Sequence, residues 1–243
     1  MTEPTLNDRN GRSCPLGSEN LHRWKLSVSI LLVALSAALA GCGAVQTKAH
    51  EAVGASGLQP TQDDKDAGLV GISPGFQLKD YRVIAVDRFA VAREDIKDED
   101  DKAFAASMPL FLQSELVRRL HDSGLFEKVV SLTAAQAPPA TERALKLEGT
   151  ITRLTGGSRA LRFWVGFGAG RSKAQVETRF VDLQSGRVVM VTADRRVAAI
   201  SEALSLDYGG DSEGLLKQSF DNMARDLARF LVRLGRGEAP KAD

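Results

Sequence analysis

Two alternating runs joined by a turn limit the possible folds of this chain more than any other feature. Ala174, Val176, Thr178 and Phe180 recur at every second position, and so do Val189, Val191 and Ala193. Period-two alternation marks a half-buried β-strand, because successive side chains point to opposite faces. Between the runs stands Asp182-Leu183-Gln184-Ser185-Gly186-Arg187, in which Ser185 and Gly186 suit a tight reversal. An antiparallel hairpin turning at Ser185 and Gly186 is therefore expected. Residues 144–155 alternate too, with Leu145, Leu147, Gly149 and Ile151 on one face and Lys146, Glu148, Thr150 and Thr152 on the other. Residues 81–89 and 125–132 are two further runs of strand length.

Two segments change to a helical period. Phe104, Met108, Phe111, Leu112, Leu116 and Leu120 recur at three- and four-residue steps over residues 101–122, with Arg118 and Arg119 outside the stripe. Pro109 inside this run should kink it or delay its start, and Gly124 suits the cap beyond it. Leu216, Phe220, Met223, Leu227, Phe230 and Leu234 form the second stripe, which Asp211 or Ser212 can cap and Gly235 ends. The order is strand, helix, four strands, helix. It predicts an α+β fold, a mostly antiparallel sheet with two amphipathic helices on one face.

The N-terminal part is of another kind. Basic His22-Arg23-Trp24-Lys25 precedes an apolar and small-residue run over residues 26–40, closed by Gly41 and Cys42. A positive flank, a short apolar core and a small-residue end describe a secretory signal. The run is too short for the roughly 20 apolar residues that span a bilayer. Leu39-Ala40-Gly41-Cys42 resembles the pattern that bacterial lipoprotein processing reads. That resemblance implies cleavage after Gly41 and acyl chains, palmitate among them, on Cys42. Several such chains hold a protein durably on a membrane. Gly43 stands where an aspartate would signal inner-membrane retention, so the expected location is the outer membrane, lipid-anchored, with the domain in the periplasm. Residues 1–21 are polar and add nothing that export needs; they are either a misassigned start or a genuine extension.

Cleavage there leaves residues 42–243, in which basic and acidic side chains balance. That argues against a nucleic-acid partner, whose binding rests on many Lys and Arg contacts to phosphate. Cys14 is removed and Cys42 is lipidated, so the domain must hold by packing without a disulfide. The expected organisation is a signal over 1–41, a flexible tether over 42–75 rich in Gly, Ala, Ser, Gln and Asp, one α+β domain over 76–235, and a frayed polar tail over 236–243.

Chemistry-bearing patterns fail on inspection. Gly166-Phe167-Gly168-Ala169-Gly170-Arg171 lacks the third glycine of a dinucleotide loop and precedes a strand, not a helix. Asp98, Asp100 and Asp101 lack the glycine and terminal glutamate of a calcium loop. His50 and His121 have no third ligand at metal spacing, and no nucleophile elbow occurs. Asp182 and Asp194 read as solvated hairpin ends, and Arg195-Arg196 as a solvated pair at a strand end. No enzyme, metal or cofactor is expected. What stands out is Phe163-Trp164-Val165-Gly166-Phe167, too apolar for an ordinary loop. Phe163, Trp164, Val165 and Phe167 are candidates for contact with a partner or membrane, weighed against packing on their own domain.

Leu116-x-x-x-Leu120, Ser123-Gly124-x-Phe126-x-x-Val129, Gly156-Gly157, the 166–170 stretch and Asp182-Leu183-Gln184-Ser185-Gly186 together resemble the bacterial lipoprotein family with the domain of unknown function DUF4410. More distantly the layout is similar to periplasmic domains of the curli secretion channel and of the Tol translocation protein's N-terminal part. The resemblance implies a non-enzymatic accessory or assembly component of an envelope secretion or transport system, with envelope proteins or a second copy as partners. It supplies no catalytic residue. The alternative is a module for a small ligand or lipid, with Phe163, Trp164 and Phe167 lining an apolar pocket.

Overall fold

The computed structural model describes residues 57–92, 99–133, 143–155, 173–197 and 212–242. All belong to the unit that spans residues 44–243. Eight strands form one sheet: β1 (Gln62–Asp64), β2 (Gly68–Ile72), β3 (Val83–Val86), β4 (Ala90–Val91), β5 (Lys128–Ser131), β6 (Ala144–Thr155), β7 (Lys173–Asp182) and β8 (Val188–Val197). Their order is β1-β2-β8-β7-β6-β3-β5, with β4 beside β6. Among the described residues two α-helices, α1 (Glu99–Asp122) and α2 (Ser212–Gly235), accompany the sheet. The α+β class and the two helices agree with the sequence reading. The sheet is mixed, since β3 runs parallel to β5 and β6, and β4 parallel to β6.

Alternation accounts for the long strands. Leu147 lies opposite Phe180, and Ile151 opposite Val176, so these side chains share the face that the helices cover. The register shifts between Ile151 and Arg153. An extra residue in one strand resets its alternation, and Leu154 thereby returns to the core, 1% exposed. The β7–β8 turn is where the sequence puts it. Asp182 accepts from the Gln184 and Ser185 amides at 2.7 and 3.0 Å, and Gly186 adopts φ +69°, a left-handed conformation that a side chain would strain. The Tyr81 hydroxyl donates to the same carboxylate at 2.8 Å.

β8 departs from the expected pattern in an instructive way. Phe180 pairs with Met190, Thr178 with Thr192, and Val176 with Asp194. The β8 face beneath the helices is therefore Met190, Thr192, Asp194 and Arg196, whereas Val191 and Ala193 point away from them. Both are still buried, at 0% and 7% exposure. At Gly71 of β2, a Cβ would lie 2.3 Å from the Gln59 carbonyl and 2.9 Å from Val191 Cγ2, so only glycine permits this close approach.

The expected tether is corrected by the same region. Residues 57–75 are not all linker: β1 and β2 sit at the edge of the sheet, and β2 pairs with β8. An edge hairpin this short needs little apolar sequence of its own, because Val70 and Ala67 are buried by what lies beside them. α1 runs through Pro109 without interruption and begins at Glu99. Proline removes the amide that would bond the Ala105 carbonyl, yet Met108 and Leu112 on either side are buried. Packing of the inner face offsets one lost helical hydrogen bond.

Candidate functional site

The strongest concentration of buried charge lies where the β1–β2 turn meets α2. Asp64 ends β1 and Asp66 lies on the turn, Asp194 and Arg196 are on β8, and Asp226, Arg229 and Arg233 on α2. The Asp64 side chain is fully buried and Arg233 is 11% exposed. Arg233 Nη2 donates to both Asp64 oxygens at 2.7 and 2.8 Å. The amides of Asp66, Ala67 and Lys241 donate to the same carboxylate at 2.9, 3.2 and 3.0 Å. Burial alone would raise the Asp64 pKa, but these donors outweigh it and hold the carboxyl below its usual range.

Asp66 extends the network. It accepts from Arg229 Nη1 at 3.1 Å and Arg233 Nε at 3.1 Å, and its backbone carbonyl accepts from Arg196 Nη2 at 3.4 Å. Arg196 also grips Asp194, with Nε 3.0 Å from Oδ2, and reaches Asp226 at 3.2 Å. Asp194 differs from Asp64. Burial pushes its carboxyl up, Arg196 offsets this only in part, and Asp226 adds to the rise. Beside it the Thr178 and Thr192 hydroxyls pair at 2.7 Å.

These groups border a cleft under both helices, lined by Asp66, Leu112, Leu116, Thr178, Asp194 and Leu227 among others. Its volume is about 20 Å³, room for roughly one water molecule. Among the described residues, no group of three or more His, Cys, Asp or Glu side chains is arranged to hold a metal. No described helix is long and apolar enough to cross a membrane. What the arrangement does chemically is bind one part of the fold to another. Four carboxylates and their arginines form a clasp between the first hairpin, β8, α2 and the C-terminal residues.

Sequence reading missed this clasp. It took Asp194 and Arg195-Arg196 as solvated, yet Arg196 is 26% and Asp194 15% exposed and the two are ion-paired. It took the tail over 236–243 as frayed, yet the Lys241 amide and carbonyl bond Asp64 and the Lys65 amide. The available signal was Arg225, Arg229 and Arg233 at four-residue spacing on one helix. Of the expected site residues, Ser185 and Gly186 form the hairpin turn. Gly41, Cys42, Phe163, Trp164, Val165 and Phe167 lie outside the described residues.

A family model for a domain of unknown function, DUF4410, matches residues 76–201, more than half of the chain. The chain belongs to the DUF4410 family. The match covers β3 to β8 and includes Asp194 and Arg196, but β1, β2 and α2 lie beyond it, so the DUF4410 stretch holds only part of the clasp. No curated protein matches the sequence. Among solved structures the chain is similar to a PelC dodecamer variant from Paraburkholderia phytofirmans, at 17% identity, covering 66% of this chain and 98% of that one with a TM-score of 0.42. It is also similar to a DUF330 protein from Xanthomonas campestris, at 14% identity, 68% and 91% coverage and a TM-score of 0.41. Likeness at this level assigns no role.

Proposed function

We propose that this DUF4410 chain is a non-enzymatic lipoprotein of the outer membrane, held by acyl chains on Cys42 with its domain in the periplasm. It acts by assembling with other proteins of an envelope secretion or transport system. The observation that carries this reading is where the clasp sits. β1 begins at Gln62, about 20 residues after Cys42, a span of at most roughly 70 Å if extended. A pull from a membrane anchor enters the fold through β1, which pairs with β2, and at its far end Asp64 and Asp66 tie the chain to α2. The clasp suits a domain that is held and loaded from its N-terminal side.

The cleft among the described residues does not suit a small ligand, while Phe163, Trp164 and Phe167 of the ligand-binding alternative lie outside those residues. Small-molecule pockets enclose roughly 300–1,000 Å³, and this cleft is far smaller. The buried carboxylates are ion-paired with arginine, which suits fastening better than acid–base work. Membrane fractionation of wild type against Cys42→Ala tests the anchor. The variant should leave the membrane fraction, and a variant that stays there as fully as wild type overturns it. Crosslinking in intact envelopes tests the assembly. A chain that forms no adduct, but gains thermal stability with amphiphiles, would instead support the ligand-binding reading.

A further inference from the structure

The first hairpin is fastened to the fold by charge more than by packing. Among the described residues it supplies only Ala67 and Val70 to the buried core cluster, with Ile72 packed against its side. β1 pairs with β2 alone, and β2 joins the sheet through the five residues Gly68–Ile72, with a register shift between Gly68 and Leu69. The ion pairs divide unevenly. Arg196 pairs with Asp194 and Asp226, and Arg229 with Asp226, so these groups keep partners when the hairpin leaves. Arg233 differs, because its carboxylate partners among the described residues are Asp64 and Asp66, both on the hairpin side. The tail depends on the same spot. Past Glu238, its hydrogen bonds among the described residues go to Asp64 and Lys65. Beyond β2, Pro74 and Gly75 are exposed, and Gly75 sits at φ +78° with nothing crowding it, which places a hinge in open solvent. Segments with few buried apolar contacts open below the free energy of the whole fold.

We propose that the first hairpin is a releasable strap bolted by Arg233, and that its opening lengthens the tether while the rest of the domain stays folded. Closed, the chain leaves the fold at β1, within roughly 70 Å of Cys42. Open, it leaves at Ser73, 31 residues from Cys42, and the greatest reach grows to roughly 110 Å. Opening parts Arg233 from Asp64 and Asp66 and returns all three to water, so no buried charge is stranded. The tail loses its seat in the same step. Load on the tether favours the open state, because that state is the longer one and a bias shifts populations toward the state it favours. The use of the strap on a membrane rests on the lipoprotein reading above; its opening does not.

Hydrogen exchange of the purified full chain in detergent tests the strap. Amides over 58–72 should exchange about tenfold or more faster than those of β6 and β7. Asp64→Asn and Arg233→Met should each speed 58–72 several-fold further. Leu120→Ala truncates a fully buried side chain of α1, whose contacts persist when the strap opens. It should speed β6 and β7 and leave 58–72 unchanged. The Lys241 amide should exchange at least as fast as 58–72. A hairpin as protected as β7 overturns the strap, as does one that Leu120→Ala speeds as much as β7. Rates over 58–72 that neither Asp64→Asn nor Arg233→Met changes overturn the bolt, and a Lys241 amide slower than the hairpin overturns the shared seat. Fractionation reads the anchor separately. A Cys42→Ala chain that stays with the membrane as fully as wild type refutes the lipoprotein reading, whereas failed exchange with an intact anchor refutes only the strap.

Discussion

α1 and α2 have the same length, 24 residues each, and cover the same sheet, yet they meet water differently. α2 presents Lys217, Asn222 and Arg225 outward, turns Asp221 to Arg119 of α1 and Arg229 to Asp66, and buries Leu216, Phe220, Met223, Leu227 and Phe230. Its two faces differ sharply. α1 buries Phe104, Met108, Leu112, Leu116 and Leu120 but sets Ala103, Ala106, Leu110 and Ser114 outside. Its outer face lacks the charge that solvent alone would favour. The lesson is that α2 is fully explained by its own domain: its inner stripe fills the core and its arginines fasten the first hairpin. α1 is explained on one side only.

The largest effect should come from the clasp that α2 holds. Asp64→Asn leaves Asp66 as the one carboxylate among the described residues paired with the buried Arg233, and breaking a buried pair costs up to about 3–5 kcal/mol. Urea melts of the purified chain in detergent would read it. The pH dependence should change as well. A carboxyl held below its unfolded value stabilises the fold above pH 3.8, and that contribution is lost as pH falls through its lower folded value. Stability of Asp64→Asn should therefore fall less steeply than wild type on the acid side of pH 3.8. Asp194 has the opposite sign, because its raised pKa opposes folding once it ionises and the cost is relieved as pH falls. An unchanged acid limb would show that Asp64 and Arg233 do not couple, and α2 would lose its distinguishing role.

Next in size is the inner stripe of α2. Leu227 is 6% exposed, and truncating a buried leucine costs about 2–5 kcal/mol. A loss under about 1 kcal/mol for Leu227→Ala would place α2 off the core. The smallest effect belongs to the outer face of α1. Leu110→Ala should change stability by less than about 0.5 kcal/mol in the same urea melts. A large loss would mean that Leu110 is held by its own domain, and the contrast between the helices would vanish.

Sequence by itself determined the elements whose side chains repeat with a strong period. β6, β7 and β8, the turn at Ser185 and Gly186, and both helical stripes were legible, because periods of two and of about 3.6 follow from backbone geometry alone. The parallel pairing of β3 with β5 and β6 was not legible, since strand neighbours depend on how α1 crosses the sheet. Nor was the direction of β8. Val189, Val191 and Ala193 look like a core face, but Phe180 pairs with Met190 and Thr178 with Thr192, which turns Asp194 and Arg196 beneath the helices. A charged residue belongs inside only when its partners come with it. For Asp64 and Asp66 those partners are Arg229 and Arg233, more than 160 residues away along the chain. The clasp therefore exists only once β1, β2, β8 and α2 have met, and tertiary structure alone decided it.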